Sequence, residues 1–385
     1  MRPARTYPEQ RDDVRLLVID PAAPDGAGLR ETRTPALPHL LAPGDLLVVN
    51  DAATLPASLR GFDEAGRAVE VRLIAARGGW PSEAGSSSES RFSPLRFAAV
   101  LFGAGDWHTR TEDRPPPPAV AEGSRLRFGA LRAKVGRHAT LSSRLVELRF
   151  EGDGAPLDAD ALWAALYKEG RPVQYAHLAH DLPLWAVQTV YATRPWAFEM
   201  PSAGRPLSWE ILLALRRRGV RWASLTHAAG LSATGDPAID AALPLPEAFD
   251  IPAATARAVA ETRARNGRVV AVGTTVVRAL EGAAQQHNGH GGGLLRAGRG
   301  ETDLRITPTF RPRVVNGILS GAHAAHESHF QLLAAFAGAD LLAAAAAHAE
   351  RTGFLTHELG DSMLVLPGAL AARLPTTIAG GGSVA

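Results

Sequence analysis

The stretch "GDLLVVN", residues 44–50, is a short apolar run between turn formers, followed at once by Asp51. Such a run reads as a buried strand, and its polar end, Asn50 and Asp51, falls where a strand can present side chains to a site. Beyond it the texture changes. From about Leu59 to Phe150, short alternating stretches ("AVEVRLIAA", "RFAAVLF", "SRLRFG", "LRAKVG", "RLVELRF") are separated by loop sequences such as "GGWPSEAGSSSES" and "DRPPPPAVAEG". Short strands with loops between them predict an all-β barrel or sandwich. After that, helical and strand patterns alternate. "PLSWEILLALRRRG" offers Ser208 as N-cap, an apolar stripe, a basic last turn and Gly219 as stop, and leads into "VRWASLT". "PAATARAVAETRARNG" repeats the plan up to Gly267, before "RVVAVGTTVVRALEG". A helix feeding a strand twice over indicates an α/β layer. The expected architecture is an α/β main domain, residues 1–58 with 152–385, carrying an inserted all-β, barrel-like domain at 59–151, and the crevice between them is the expected ligand site.

Length and composition agree with two domains: 385 residues, 46% hydrophobic, fill two cores. The chain has no cysteine, which excludes disulfides, thiolate metal sites, iron–sulfur clusters and thiol nucleophiles, and fits a cytoplasmic setting. The N-terminal "MRPARTYPEQRDDVRLLVID" lacks the apolar core of a signal peptide, and the late run "LLAAFAGADLLAAAAAHAE" is interrupted by Asp340, so neither secretion nor membrane insertion is expected. A net charge of +2 is too small to imply nucleic acid by itself. Its distribution is uneven: Arg125, Arg127, Arg132, Lys134, Arg137, Arg144 and Arg149 face the single acid Glu147 on strand-like sequence. This is a local basic face, either a solvated sheet surface or a phosphate-binding one. The segment "AAQQHNGHGGGLLRAGRG" (283–300) reads as a glycine-rich loop and "AGGGSVA" as a frayed tail.

Several constellations carry candidate chemistry. In "VVAVGTTVVRALEG", Gly273 permits close backbone approach, Thr274 or Thr275 can cap the following helix, and Arg278 lies one turn inside; a capped unit with no ligand is the plain alternative. "RPWAFEMPSAGRPLSWE" sets Ser202, Ala203 and Gly204 in a rigid lead-in to a helix. "SLTHAAGLSATGD" puts His227 at a strand end, an acid–base candidate or a structural hydrogen-bonder. Asp303, Arg305, Arg311 and Arg313 precede "GAHAAHESHF" (321–330). There His326 and His329 stand at i and i+3, not the i and i+4 of HExxH zinc sites, so no metal is expected; a helix would let His323 meet Glu327 and orient its imidazole.

The ordered pieces "RLLVID", "PGDLLVVNDAATLPASLRG", "QTVYATRPWAFEMPSAG", "RVVAVGTTVVRALE", "TDLRITP", "AFAG" and "GFLTHELGDSMLVL" together resemble the S-adenosylmethionine:tRNA ribosyltransferase-isomerase family of queuosine biosynthesis. The resemblance implies an α/β domain with an inserted β-barrel. It also implies transfer and rearrangement of the ribosyl part of S-adenosylmethionine onto a 7-aminomethyl-7-deazaguanine in tRNA, giving epoxyqueuosine with loss of adenine and methionine. S-adenosylmethionine is then a consumed substrate, with no cofactor and no metal. The family's "PTAGLHF" is "PSAGRPLSW" here, its "TLHVGLGTF" is "THAAGLSATG", and its "NFHLPKST" is "GAHAAHES", in which His323 matches the family histidine. The catalytic residues expected are His323, on the family histidine, His227, one residue before the position of a second family histidine at Ala228, Glu327, which stands where the family has a serine, and Asp303. The substrate-binding ones are Asn50, Asp51, Ser202, Gly204, Gly273, Thr274, Thr275 and Arg278. The partners implied are S-adenosylmethionine and tRNA; no membrane is expected, and the sequence leaves the oligomeric state open, with a monomer favoured. Related chemistry on another acceptor, or a silent S-adenosylmethionine- or RNA-binding scaffold, are the alternative readings.

Overall fold

The computed structural model describes residues 1–24, 28–77, 96–152, 155–286, 295–323 and 327–371. The glycine-rich residues 287–294, His326 and the tail from 372 onward lie outside these. Within the segment read as a loop at 283–300, the helix Thr274–Gln286 runs to its fourth residue and a strand begins at Gly298.

"GDLLVVN" folds as the strand Leu46–Asn50, every residue of it buried. It is central in a nine-stranded mixed sheet. Across that sheet the order is Gly298–Thr302, Glu247–Ile251, Arg221–His227, Leu46–Asn50, Val269–Val272, Gly317–Gly321, Ser362–Val365, Arg15–Ile19 and Leu29–Arg33. The run from Arg221–His227 to Gly317–Gly321 is parallel. The unbroken apolar sequence has a direct cause: alternate residues serve different cores. Leu46 and Val48 pack with Val269, Ala271 and Val276 on one face, while Leu47 and Val49 pack with Val270, Ile211 and Leu215 on the other. Strands covered by helices on both faces lose the polar half of the alternation.

The helices end where their sequences indicate. Ser208 Oγ accepts the amide of Ile211 at 3.4 Å to cap Trp209–Arg217, and Gly219 takes a positive φ of 78° beyond it. The helix Ala253–Ala264 stops at Asn266, whose φ is 57°, one residue before the expected Gly267. Asn tolerates the left-handed region better than most side chains, so it takes the turn.

The second unit is a closed antiparallel barrel. Strands Leu131–Ala139, Arg125–Phe128, Ser58–Asp63, Ala68–Arg77, Arg96–Phe102 and Ser142–Gly152 pair in that order, and the last returns to the first. Inward residues such as Leu59, Val71, Phe97, Leu126, Ala133 and Leu148 fill it. The helix Ala159–Glu169 adds Leu162, Trp163 and Leu166 to the same cluster, with Trp163 edge-on to Phe97 at 6.1 Å. Against the main unit the barrel presents Val100 and Phe102, which pack on Leu231, in the loop after Arg221–His227, and on Ile239 of the helix Pro237–Ala242. Beside them Arg72 is fully buried, paired with Glu70, and set over the rings of Phe102 and Tyr175.

Candidate active site

The parallel strands Arg221–His227, Leu46–Asn50, Val269–Val272 and Gly317–Gly321 end together, and the candidates at 50–51, 227, 273–278 and 323 come from those ends. This is the edge of an open α/β sheet where ligands bind, because loops there diverge and leave a crevice. At its floor, Asn50 is buried. Its Oδ1 accepts the amides of His227 and Ala52 at 2.9 and 3.1 Å, and its Nδ2 donates to the His227 carbonyl at 3.0 Å. The Asn50 amide therefore joins two strand ends rather than reaching outward. Asp51 accepts from Ser224 Oγ at 2.8 Å and Thr226 Oγ1 at 2.6 Å, which fixes its carboxylate on the neighbouring strand.

His227 is fully enclosed, 3.5 Å from Glu247 through Nε2, and neither ring nitrogen makes a hydrogen bond among the described residues. Burial, with Arg278 nearby, pushes its pKa well below the ordinary histidine value, so the ring is neutral. Arg278 turns toward the carboxylate: its Nη2 donates to Glu247 Oε2, while Glu247 Oε1 accepts the amide of Gly230 at 2.7 Å. Burial raises the pKa of Glu247, against the pull of that guanidinium.

Gly273 has φ 87°, and a Cβ on it would meet Ala203 Cβ at 3.4 Å, so the glycine turn packs on the 202–204 segment. Thr274 is already the first residue of its helix, which leaves the cap position to Gly273 and both threonines in the first turn, where backbone amides have no intrahelical partner. Ser202 and Gly204 form one turn of 3-10 helix, and Ser202 lines a hollow of about 10 Å³ with Gly321, His357 and Glu358. Asp303 follows the edge strand Gly298–Thr302 and is exposed, outside the contacts that join the other candidates.

The rim is richer than the sequence suggested. His323 lies just before the helix Ser328–Ala337, not inside one, and its Nδ1 is 3.1 Å from Oε2 of Glu327, which occupies the N-cap position. His329 stacks on His323 with ring centroids 4.9 Å apart, and its pKa is pressed down to about 3 by burial and then by His323 and Arg278. His357 Nε2 is 4.0 Å from Glu327 Oε1, and its ring stacks on His177 at 4.5 Å. His177 Nε2 is 3.0 Å from Glu358 Oε2, and donor atoms of His177, His357 and Glu358 all lie within 4.8 Å of one another, a set able to hold a metal ion. Further along, Tyr175 donates to Glu199, which also accepts the Ser232 amide at 3.1 Å; burial pushes the Glu199 pKa up to about 7.

His177, Glu199, Glu247, His357 and Glu358 were not singled out from the sequence, and His329 was weighed there only as a metal ligand. One signal was present for two of them: His357 and Glu358 stand just before "GDSMLV", the entry to a buried strand, at the same sheet edge as the other candidates. His177 and Glu199 lie in irregular segments with no periodicity to place them.

Helices on both faces of a mixed sheet with parallel central strands, a barrel packed against it and an imidazole–carboxylate pair at the carboxyl ends of those strands define a two-unit α/β enzyme scaffold. The chain belongs to the family described as "Queuosine biosynthesis protein", which it matches over residues 2–365. Among curated relatives it is 34% identical to S-adenosylmethionine:tRNA ribosyltransferase-isomerase of Gloeobacter violaceus, covering 94% of this chain and 91% of that one. It is 33% identical to the protein of the same name from Thermus thermophilus, covering 93% and 94%. The crystal structure of S-adenosylmethionine tRNA ribosyltransferase from Thermotoga maritima is similar at 23% identity, covering 94% of this chain and 96% of that one, with a TM-score of 0.48. No described helix is long and apolar enough to cross a membrane.

Proposed function

We propose that the chain transfers and rearranges the ribosyl group of S-adenosylmethionine onto the aminomethyl group of a 7-deazaguanine base in tRNA, forming epoxyqueuosine and releasing adenine and methionine in the cytoplasm. Family membership across residues 2–365 supports the reaction. The observation that carries the site is the His323–Glu327 pair at the end of a central strand, 3.1 Å apart. With Nδ1–H donated to Glu327, Nε2 of His323 carries the lone pair, and the carboxylate stabilises the imidazolium that forms. In this reading His323 takes the proton from the carbon made acidic by the adjacent sulfonium. His227, enclosed and neutral, supports the floor and the base has to be found at the rim.

Departure of adenine breaks a C–N bond whose electrons leave with the base, and a proton donor assists it. Glu199, whose pKa stands at about 7, holds a proton near neutrality and is assigned that role. The Gly273–Thr275 turn, with free first-turn amides, receives the methionyl carboxylate or the adenosyl group. S-adenosylmethionine is consumed as substrate, and no cofactor is invoked. Asp303, expected from the sequence to be catalytic, is assigned instead to a contact with tRNA at the exposed edge of the sheet.

For the macromolecular substrate, the outer barrel face is assigned to phosphates. Register places Lys134 between Arg125 and Arg149, while Arg132 stands between Arg127 and Glu151. Like charges facing one another on a sheet are unfavourable unless a polyanion neutralises them. A hollow of about 340 Å³ opens there, lined by Arg96, Lys134, Arg137 and Arg149 with Glu122 and Glu147. The working limits of the barrel unit are taken as 59–151, inserted between 1–58 and 152–385, with a single chain as the active form.

Incubation with S-adenosylmethionine and tRNA bearing the aminomethyl-deazaguanine should release adenine and methionine in equal amounts. Turnover with another acceptor and none with this tRNA would overturn the acceptor. His323→Ala should abolish turnover with an unchanged circular dichroism spectrum; full activity in that variant would remove the assignment of the base.

A further inference from the structure

His177, His357 and Glu358 form a constellation that the proposed reaction leaves unused. They come from two distant parts of the chain: His177 from the segment that leaves the barrel's helix, His357 and Glu358 from the turn between Leu355–Thr356 and Ser362–Val365. His177 Nε2 and Glu358 Oε2 are both buried and lie 3.0 Å apart, yet neither makes a hydrogen bond of acceptable geometry. Buried polar atoms without partners are rare and ask for an explanation, an ion among them. His357 adds a third donor and is held at φ 68°, a backbone region uncommon for side chains other than Gly, Asn and Asp. Its Nε2 also stands 4.0 Å from Glu327, a carboxylate neighbour of the kind that orients metal-bound imidazoles.

We propose that His177, His357 and Glu358 bind a divalent transition metal ion of the zinc type, with three protein ligands and a fourth position open to the crevice. Two imidazoles and one carboxylate are a donor set zinc accepts when it keeps a water. Bonds of about 2.0–2.1 Å in a tetrahedron separate donors by about 3.3 Å. The His177–Glu358 pair, at 3.0 Å, already has nearly this spacing. His357, within 4.8 Å of the others, has to close by a side-chain rotation. The ion ties the segment after the barrel to the C-terminal turn, across the crevice. It is independent of the reaction proposed above, and its test reads metal binding rather than turnover.

The test is calorimetric titration of untagged, chelator-treated full-length protein with zinc chloride, repeated with cobalt(II) to read the visible spectrum of a tetrahedral site. One equivalent should bind and raise the melting temperature. His177→Ala, His357→Asn and Glu358→Gln should each weaken binding by at least about 100-fold, more than loss of an outer partner does. Asn is chosen at 357 because it accepts the left-handed backbone. His348→Ala, at a histidine paired with Glu31 elsewhere on the surface, should leave the titration unchanged. Absence of saturable binding by wild-type protein overturns the site. So does binding that persists in the His177→Ala/His357→Asn double variant, or that is lost in His348→Ala. Circular dichroism of each variant without metal separates a lost ligand from a lost fold.

Discussion

Gly204→Ala separates a glycine required by packing from one required by a ligand. A Cβ at 204 would stand 2.0 Å from the Tyr191 hydroxyl, 3.2 Å from its Cζ and 3.3 Å from Thr189 Cγ2. Tyr191 is 6% exposed and cannot swing aside without moving the strand ends it packs on. Overpacking of this kind costs about 1–3 kcal/mol. In a Tyr191→Phe background the 2.0 Å contact disappears and the nearest atom is Cζ at 3.2 Å, which a shift of a few tenths of an ångström relieves. The same alanine should then cost under about 1 kcal/mol, giving a coupling of about 1–2 kcal/mol in the double-mutant cycle. Urea unfolding of the four proteins measures it, provided their m-values agree. Equal destabilisation in both backgrounds would refute the packing argument. An alanine variant as stable as the wild type but unable to bind S-adenosylmethionine would return Gly204 to the ligand.

Two further outcomes are expected. Lys134→Ala with Arg149→Ala should weaken tRNA binding and flatten the slope of log affinity against log salt by about 1.4–1.8, the loss expected for two phosphate contacts; an unchanged slope would move the tRNA off this face. Glu199, raised from 4.5 to about 7, favours the native state while it is protonated, so its contribution is complete below pH 4.5 and fades as pH rises to about 7. Glu199→Gln should therefore gain on the wild type across that window, by no more than about 3 kcal/mol, in urea midpoints measured at several pH values; parallel curves would contradict it.

The layers were legible and the wiring was not. "GDLLVVN" and "RVVAVG" announce buried strands because their composition is local, and the caps at Ser208 and Gly219 act within one turn. The order of the sheet rests on pairings between distant residues, such as Ser362–Val365 entering antiparallel beside Gly317–Gly321 and parallel beside Arg15–Ile19. No short-range pattern encodes that choice. The site divides the same way. The meeting of His323 with Glu327 was foreseen, but the helix expected to bring it about starts only at Ser328, and His177 against His357 depends on two irregular segments meeting. Asn50 shows the opposite error: a polar residue at a strand end looked outward, but the adjacent strand end offers it an amide and a carbonyl, and buried amides take such partners first.

The crevice gathers many titratable groups yet keeps much of their charge suppressed. Burial lowers His227, His329 and His357, and raises Glu199 and Glu247. With S-adenosylmethionine docked in this crevice as proposed above, its sulfonium meets little repulsion as long as Arg278 in the floor stays paired with Glu247. Removing one partner of a buried pair costs about 3–5 kcal/mol of stability where it leaves an uncompensated charge, and the two variants differ in what they leave behind. Arg278→Met removes the guanidinium that holds the Glu247 pKa down, so burial pushes it further up and favours the neutral carboxyl. Glu247→Gln leaves an unpaired cation. A second positive charge docking about 8 Å away would feel about 2 kcal/mol of repulsion at an effective dielectric of 20, close to thirtyfold in affinity. Glu247→Gln should accordingly raise the KM for S-adenosylmethionine and Arg278→Met should spare it. KM raised equally in the two variants would show that Arg278 touches the substrate itself and that Glu247 serves to aim it, whereas KM unchanged in both would move the sulfonium away from this pair.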